Sequence, residues 1–187
     1  MRITGGQWRS RPIAVPPGLE VRPMPEKVRQ ALFNSLGSWV ADQRVLELFA
    51  GTGCLSLECL SRGAASAVCV ELSARHAKFL ERNAAALGAH VELHVQDALA
   101  AIEAMARASR SFDFIVADPP YGEKNIGRRS RSWAQQLLDA PALPSLLVSG
   151  GRLMLGHAKR DQVEVPGPWR EVKVLKHGDT WLRLLGL

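Results

Sequence analysis

Four carboxylates of this sequence stand at or just after the ends of short apolar runs: Glu47, Glu71, Asp97 and Asp118. The last opens the stretch Asp118-Pro119-Pro120-Tyr121. Two prolines fix φ and remove N–H donors, so such a corner is stiff and its carbonyls stay open to outside donors. A nucleobase amino group is a poor nucleophile because its lone pair is delocalised into the ring. A carboxylate and a backbone carbonyl can accept its two protons, draw the nitrogen towards tetrahedral geometry and aim the lone pair for in-line displacement. A tyrosine beside them offers a face on which a base turned out of its helix can stack. Asp118, Pro119, Pro120 and Tyr121 are the candidate catalytic residues.

Glu47 lies in Leu46-Glu47-Leu48-Phe49-Ala50-Gly51-Thr52-Gly53. Glycines after a strand allow a tight turn and a close backbone approach to a ligand. Position 56 is Ser, so the third glycine of the dinucleotide fingerprint is missing, and an acid suits a pyrophosphate badly. A nucleoside with positive charge and no phosphate suits it better, and S-adenosylmethionine has an ammonium and a sulfonium. Glu71 is placed to accept both ribose hydroxyls, and Asp97 with Ala98 to meet the adenine amino group. Plainer roles also fit: a generic tight turn at Gly51 to Gly53, a solvated acid at a helix start for Glu71, an N-cap for Asp97. The candidate cofactor contacts are Glu47, Phe49, Gly51, Thr52, Gly53, Glu71, Leu72, Asp97 and Ala98.

The elements that must hold these residues alternate in type. Residues 1–25 are Pro- and Gly-rich and read as an irregular basic arm with a short hairpin, ahead of a single domain over 26–187. Val28, Leu32, Phe33 and Leu36 fall at helical spacing, with Gly37 as the stop, which places Lys27, Arg29, Gln30 and Asn34 on the polar side. Strands are expected over 44–49, 67–71, 90–95, 112–117 and 151–155, with helices after the first four. Ser73 N-caps the second of these helices, Asp97 opens the third, and another runs from about residue 132 to 138. Residues 169–175 and 180–185, split by Lys176-His177-Gly178-Asp179, form a closing hairpin. Such alternation predicts an α/β protein with a mainly parallel seven-stranded sheet, a C-terminal antiparallel hairpin and helices on both faces. Ligands of such sheets bind at the carboxyl ends of the strands, where the four acids fall.

Charge is uneven. The net charge is +6, and the excess sits in Arg2, Arg9, Arg11, Arg22, Lys27 and Arg29 and in a second cluster of Lys124, Arg128, Arg129 and Arg131. This favours a polyanionic partner; a plain solvated surface is the alternative. The second cluster lies in a loop, 123–131, that Gly127 and its charge mark as mobile before a partner binds. Apolar residues make up 47% of the chain, enough for a core, but charge or Gly and Pro interrupt every apolar run before it could span a bilayer. Met1 to Gly6 lack a secretory apolar region. A soluble, cytoplasmic monomer is expected, with no membrane partner. Cys54, Cys59 and Cys69 are odd in number and lack C-x-x-C spacing, so buried thiols are expected, without a disulfide framework or a bound metal.

With D-P-P-Y, the glycine loop and the strand-end acids in place, the chain resembles the class I methyltransferases, with their Rossmann-like fold. More narrowly, it is similar to the bacterial 16S ribosomal RNA guanine-N2 methyltransferases (RsmD-type). The specific parts are Arg2-Ile3-Thr4-Gly5-Gly6-Gln7-Trp8-Arg9, Arg22-Pro23, Val28-Arg29-Gln30-Ala31-Leu32-Phe33-Asn34 and the Gly178-Asp179 hairpin. The resemblance implies that residues 47–53 hold the methionine portion of S-adenosylmethionine, Glu71 the ribose, Asp97 and Ala98 the adenine. It implies that Asp118 to Tyr121 bind the target amine, while the basic arm and first helix grip RNA of the small ribosomal subunit. Two departures from the family pattern stand out: Met24-Pro25-Glu26 replaces a Thr-rich stretch, and Gly156-His157 stands where an acid is usual. His157 reads as a structural histidine. The rival readings are a DNA adenine or protein glutamine methyltransferase with the same motif, a dinucleotide-dependent reductase, and a non-catalytic RNA-binding assembly factor.

Overall fold

The computed structural model describes residues 1–17, 24–122, 124–125 and 128–187. Arg22, Pro23, Glu123 and Gly127 lie outside the described residues, and with them the expected RNA contact of Arg22. The chain forms two compact units, Met1–Ala98 and Leu99–Leu187.

The first unit carries three parallel strands, β1 (Arg44–Leu48), β2 (Ser66–Glu71) and β3 (Glu92–Val95), in the order β3-β2-β1. Leu48 pairs with Val70 and Glu71 with Val95, so the strands end near one level. Helix α1 (Glu26–Leu36) precedes them, stopped at Gly37, whose N–H donates to the Phe33 carbonyl. Helices α2 (Cys54–Ser61) and α3 (Ala74–Leu87) link the strands. Ser73 N-caps α3 as expected, its hydroxyl accepting from the His76 N–H at 3.3 Å. The apolar face of α3 buries Ala77, Leu80, Ala84 and Leu87.

The arm is folded into this unit. Ile3 N–H donates to the Arg11 carbonyl (3.0 Å), and Ile13 N–H to that of Met1 (2.8 Å), which closes the expected hairpin. Ile3 and Ile13 are buried. What fastens it is Glu58 of α2, a fully buried carboxylate. Glu58 accepts from Thr4 N–H (2.8 Å) and Thr4 Oγ1 (2.6 Å) of the arm, from Arg29 Nε of α1 (3.3 Å) and from Arg62 Nε (2.9 Å). Arg62 also lies over the Phe33 ring, 4.8 Å from its centre.

Arg29 therefore corrects the reading of α1. It was expected on the polar side, gripping RNA, yet its side chain is fully buried. Its guanidinium donates to Glu58, to the carbonyls of Met24 (3.3 Å) and Arg2, and to Met1 Sδ. A buried charge needs a counter-charge and hydrogen bonds, and here it has both. Helical spacing alone does not show that an acid from another helix reaches position 29. Lys27, Gln30 and Asn34 are exposed as expected. Met24, where the family pattern has hydroxyls, is itself buried.

The second unit holds α4, which runs over Ala98–Arg107, then β4 (Phe112–Ala117), α5 (Trp133–Asp139), β5 (Leu147–Ala158), β6 (Arg170–His177) and β7 (Thr180–Gly186). The strand order is β4-β5-β7-β6, parallel between β4 and β5 and antiparallel thereafter. The seven strands are those of a mixed sheet, parallel but for the C-terminal hairpin. Strand β5 is longer than the expected 151–155; Gly150, at φ 77°, sits where its pairing with β4 shifts register. No helix among the described residues is long and apolar enough to cross a membrane.

Replacing Glu58 by Ala strands the Arg29 charge, a change that costs about 3–5 kcal/mol at comparable sites. Urea unfolding should show that loss, whereas Arg9→Ala at an exposed position should stay within about 0.5 kcal/mol of the parent.

Candidate active site

The glycine loop of the first unit is shaped by two acids. Glu47, at the end of β1 and 2% exposed, accepts from the Leu55 N–H (3.3 Å) and the Ser56 N–H (2.9 Å). These are among the first amides of α2, which have no partner within the helix, and an anion there is favoured by the helix dipole. Glu71 spans the loop from β2: Gly51 N–H donates to Oε2 (2.7 Å), Ser73 N–H to Oε1 (2.8 Å). Its own carbonyl accepts from the Gln96 N–H (3.1 Å), which brings the turn carrying Asp97 beside it. Glu47, Gly51, Gly53, Glu71 and Asp97 thus gather at one end of this unit's strands.

Gly53 has φ 74°, and a Cβ there would lie 2.7 Å from Leu80 Cγ, so no other residue fits without strain. Phe49 also adopts positive φ, 58°, as the strand turns out. Thr52 is buried, its carbonyl accepting from Asn83 Nδ2 (3.1 Å), so its backbone is what the loop presents. Leu72 is 67% exposed and Ala98 buried. Asn83 was missed in the sequence. Its amide also holds the arm, accepting from Ala14 N–H (2.8 Å) and donating to the Ala14 carbonyl (3.0 Å). The available signal was an amide beside Ala84 on the apolar face of α3.

The second unit carries Asp118 at the end of β4. Its Oδ1 is buried without a hydrogen-bond partner. Burial pushes the Asp118 pKa up to about 7, against a smaller lowering by a hydrogen bond with Tyr121. The space it fills exists because residue 156 is Gly: a Cβ there would come 2.2 Å from Asp118 Oδ1. The departure Gly156 is thereby accounted for. Pro119 is buried, Pro120 exposed, and Tyr121 is 38% exposed with its hydroxyl 3.2 Å from Thr180 Oγ1.

Beyond Tyr121 the described residues of the loop are pinned to the segment after β5. Asn125 Nδ2 donates to the Gln162 carbonyl (3.2 Å), and Gln162 N–H to Asn125 Oδ1 (2.8 Å). Ser130 Oγ donates to Asp161 Oδ1 (2.5 Å). Buried amide and hydroxyl groups hold residues 125 and 130 in place, whatever the charge around them. His157 is buried and structural, as expected. Its Nδ1 lies 3.0 Å from the Ala158 carbonyl, and its Nε2 accepts from Arg183 Nε at 3.0 Å. Burial lowers its pKa, and the nearby Arg183 charge adds to that, so the ring is neutral.

The basic residues divide. Arg9, Lys27, Lys124, Arg128 and Arg131 are exposed. Arg129 is exposed but matched by Asp139 (2.5 Å) and Glu164 (3.7 Å). Arg2 approaches Glu26 at 3.7 Å, and Arg11 donates to the Ala86 carbonyl at 2.8 Å. The three cysteines are buried and form no disulfide; burial raises the pKa of Cys59 and Cys69, which leaves them inert thiols.

A parallel α/β arrangement with a glycine turn after β1, an acid closing β2 and an antiparallel hairpin at the end defines a Rossmann-like protein of the methyltransferase class. The chain belongs to the family described as Conserved hypothetical protein 95, whose profile matches residues 1–186. Over 121 residues it is 37% identical to "Ribosomal RNA small subunit methyltransferase D" of Escherichia coli (strain K12), a stretch covering 65% of this chain and 60% of that protein. It is 32% identical over 128 residues to "Putative rRNA methyltransferase YlbH" of Bacillus subtilis, covering 67% of this chain and 70% of that protein. Among solved structures it resembles "Putative methyltransferase yhhF" from Escherichia coli, with a TM-score of 0.80 and 28% identity, over 99% of this chain and 96% of that one.

The raised pKa of Asp118 has a consequence for stability. In the unfolded chain this carboxyl ionises near 3.8, in the folded one near 7. Between those values the folded state holds a proton that the unfolded state has released, so stability falls as pH rises and the full penalty is present above 7. Asp118→Asn cannot titrate. Relative to it, the parent should lose roughly 2–4 kcal/mol between pH 4 and pH 8 in denaturant titrations.

Proposed function

We propose that this chain transfers a methyl group from S-adenosylmethionine to the exocyclic N2 of a guanine in 16S ribosomal RNA, within the small subunit or an assembly intermediate. The carrying observation is Asp118, a desolvated carboxyl with an unpartnered oxygen and a pKa pushed up to about 7, at the head of a proline-stiffened corner. A carboxylate in that state suits an amine that must be drawn out of conjugation and then lose a proton. The names of the relatives support RNA as the acceptor, and the exposed cations on the arm and after Tyr121 suit it.

The first unit fits the cofactor. Each Glu71 oxygen accepts one amide, and a carboxylate has about four lone-pair sites, which leaves room for both ribose hydroxyls. Leu72 offers an exposed apolar face to the adenine, with Asp97 and Ala98 at its edge. Backbone at Gly51 to Gly53, without Cβ atoms at its ends, admits the methionine portion, and Glu47 keeps that turn in shape through the start of α2. When bound, S-adenosylmethionine supplies a methyl group activated by positively charged sulfur.

Asp118 and a carbonyl of the Pro119-Pro120 corner accept the two amino protons and turn the nitrogen lone pair away from the ring. Tyr121 stacks on the base. The bound donor would supply the methyl group, the S–C bonding pair staying on sulfur, and Asp118 would take the surplus proton from the methylated nitrogen and pass it to solvent. A carboxyl titrating near neutrality is matched to that proton.

Tritiated methyl transfer to ribosomal RNA from a strain lacking this gene, followed by nucleoside analysis, should recover N2-methylguanosine. Label in duplex DNA or in protein glutamine instead would replace this reading with one of its rivals. Asp118→Ala should lower transfer by at least about 100-fold, and Gly156→Ala, which displaces the carboxylate, by a similar factor; RNA affinity should hardly change. A separate measurement concerns the arm. Neutralising Arg9 and Arg11 should flatten the dependence of log K on log salt by roughly 0.7–0.9 for each phosphate that is no longer neutralised, and an unchanged slope would remove the arm from the interface.

A further inference from the structure

The ladder between β5 and β7 carries both ends of the Asp118–Tyr121 corner on one face. Gly156 pairs with Leu182, and Ala158 with Thr180. Residues two apart on a strand point to the same side of a sheet, so Gly156, Ala158, Leu182 and Thr180 share a face. Asp118 lies against that face, because its Oδ1 occupies the place a Cβ of residue 156 would need. Tyr121 reaches the same face three residues on, its hydroxyl 3.2 Å from Thr180 Oγ1. Gly156 and Ala158 add almost no bulk between the two contacts.

Thr180 is well placed to hold a ring still. It opens β7 and is paired on both sides, with Ala158 of β5 and His177 of β6. The turn before it is fastened by Lys159 N–H donating to the Asp179 carbonyl at 2.7 Å. A β-branched side chain on such a backbone has few χ1 choices, so its hydroxyl sits at a fixed point. The two prolines fix the other side of the corner. A ring that is 38% exposed is oriented best by a partner that does not itself move.

We propose that Thr180 is a positioning residue, whose hydroxyl sets the ring of Tyr121 in the plane that receives the target base. The proposal rests on the reading of this corner as the acceptor site. It extends that site to the C-terminal hairpin, so the first residue of β7 governs how a base is presented.

Tyr121 is the only tyrosine in the chain, which gives a test independent of catalysis. Protein grown on 3-fluorotyrosine should show one fluorine resonance. Thr180→Val, which keeps the shape and removes the hydroxyl, should shift or broaden it, and Thr180→Ser should restore it. In methyl transfer, Thr180→Val should lower kcat about 3- to 10-fold, the worth of one hydrogen bond, and leave the KM for the methyl donor unchanged. Tyr121→Phe, which also removes the hydrogen bond with Asp118, should lower kcat at least as far, and adding Thr180→Val to it should lower kcat no further. An unchanged resonance in Thr180→Val, or losses that multiply in the double variant, would overturn the proposal. A resonance that responds in a parent protein that methylates no RNA would instead sink the proposed function and leave the contact standing.

Discussion

A carboxylate taken out of water must find donors or give up its charge, and this chain's buried acids divide on that condition. Glu58 meets it with two arginines and a threonine, Glu47 with the opening amides of α2, Glu71 with the amides of Gly51 and Ser73. Each of these contacts also fastens a segment. Glu58 draws the arm and α1 onto α2, and Glu71 and Glu47 hold the glycine turn. Asp118 does not meet it: one oxygen is unpartnered, and its proton affinity rises instead. The acids whose oxygens find donors build the frame; Asp118 shares with Asp161 a buried oxygen without a partner, and standing on the proline corner it is the candidate for chemistry.

Much of this was legible in the sequence, and for a physical reason. Period-2 and period-3.6 patterns reflect burial on one side, and burial makes the elements. Helix α1 lies where expected because Gly37 ends it and Val28, Leu32, Phe33 and Leu36 bury one side. The turn at Gly51 to Gly53 and the corner at Pro119-Pro120 were readable because their shape is set by their own local backbone. The same holds for Ser73, whose cap reaches only three residues along.

What escaped notice depends on partners distant in sequence. Arg29 counts as polar on any helical wheel, and only Glu58, twenty-nine positions on, turns it inward. Asn83 sits on an apolar face because Ala14 and Thr52 both need its amide. Residues 125 and 130 look like a loose charged loop until Asp161 and Gln162 are brought beneath them. Thr180 has no local motif at all. In each case the information lies in a pairing, and one strand of text does not record pairings.

Gly156 has a consequence of a different kind. It donates no atom to the acid it serves; its whole contribution is vacancy. Surveys that rank residues by what they touch would pass over it, and a chemist redesigning the strand would take it for a weak spot and fill it. The room a buried side chain occupies can thus depend on a neighbour that contributes nothing, and such positions are found only by asking what each missing atom would strike.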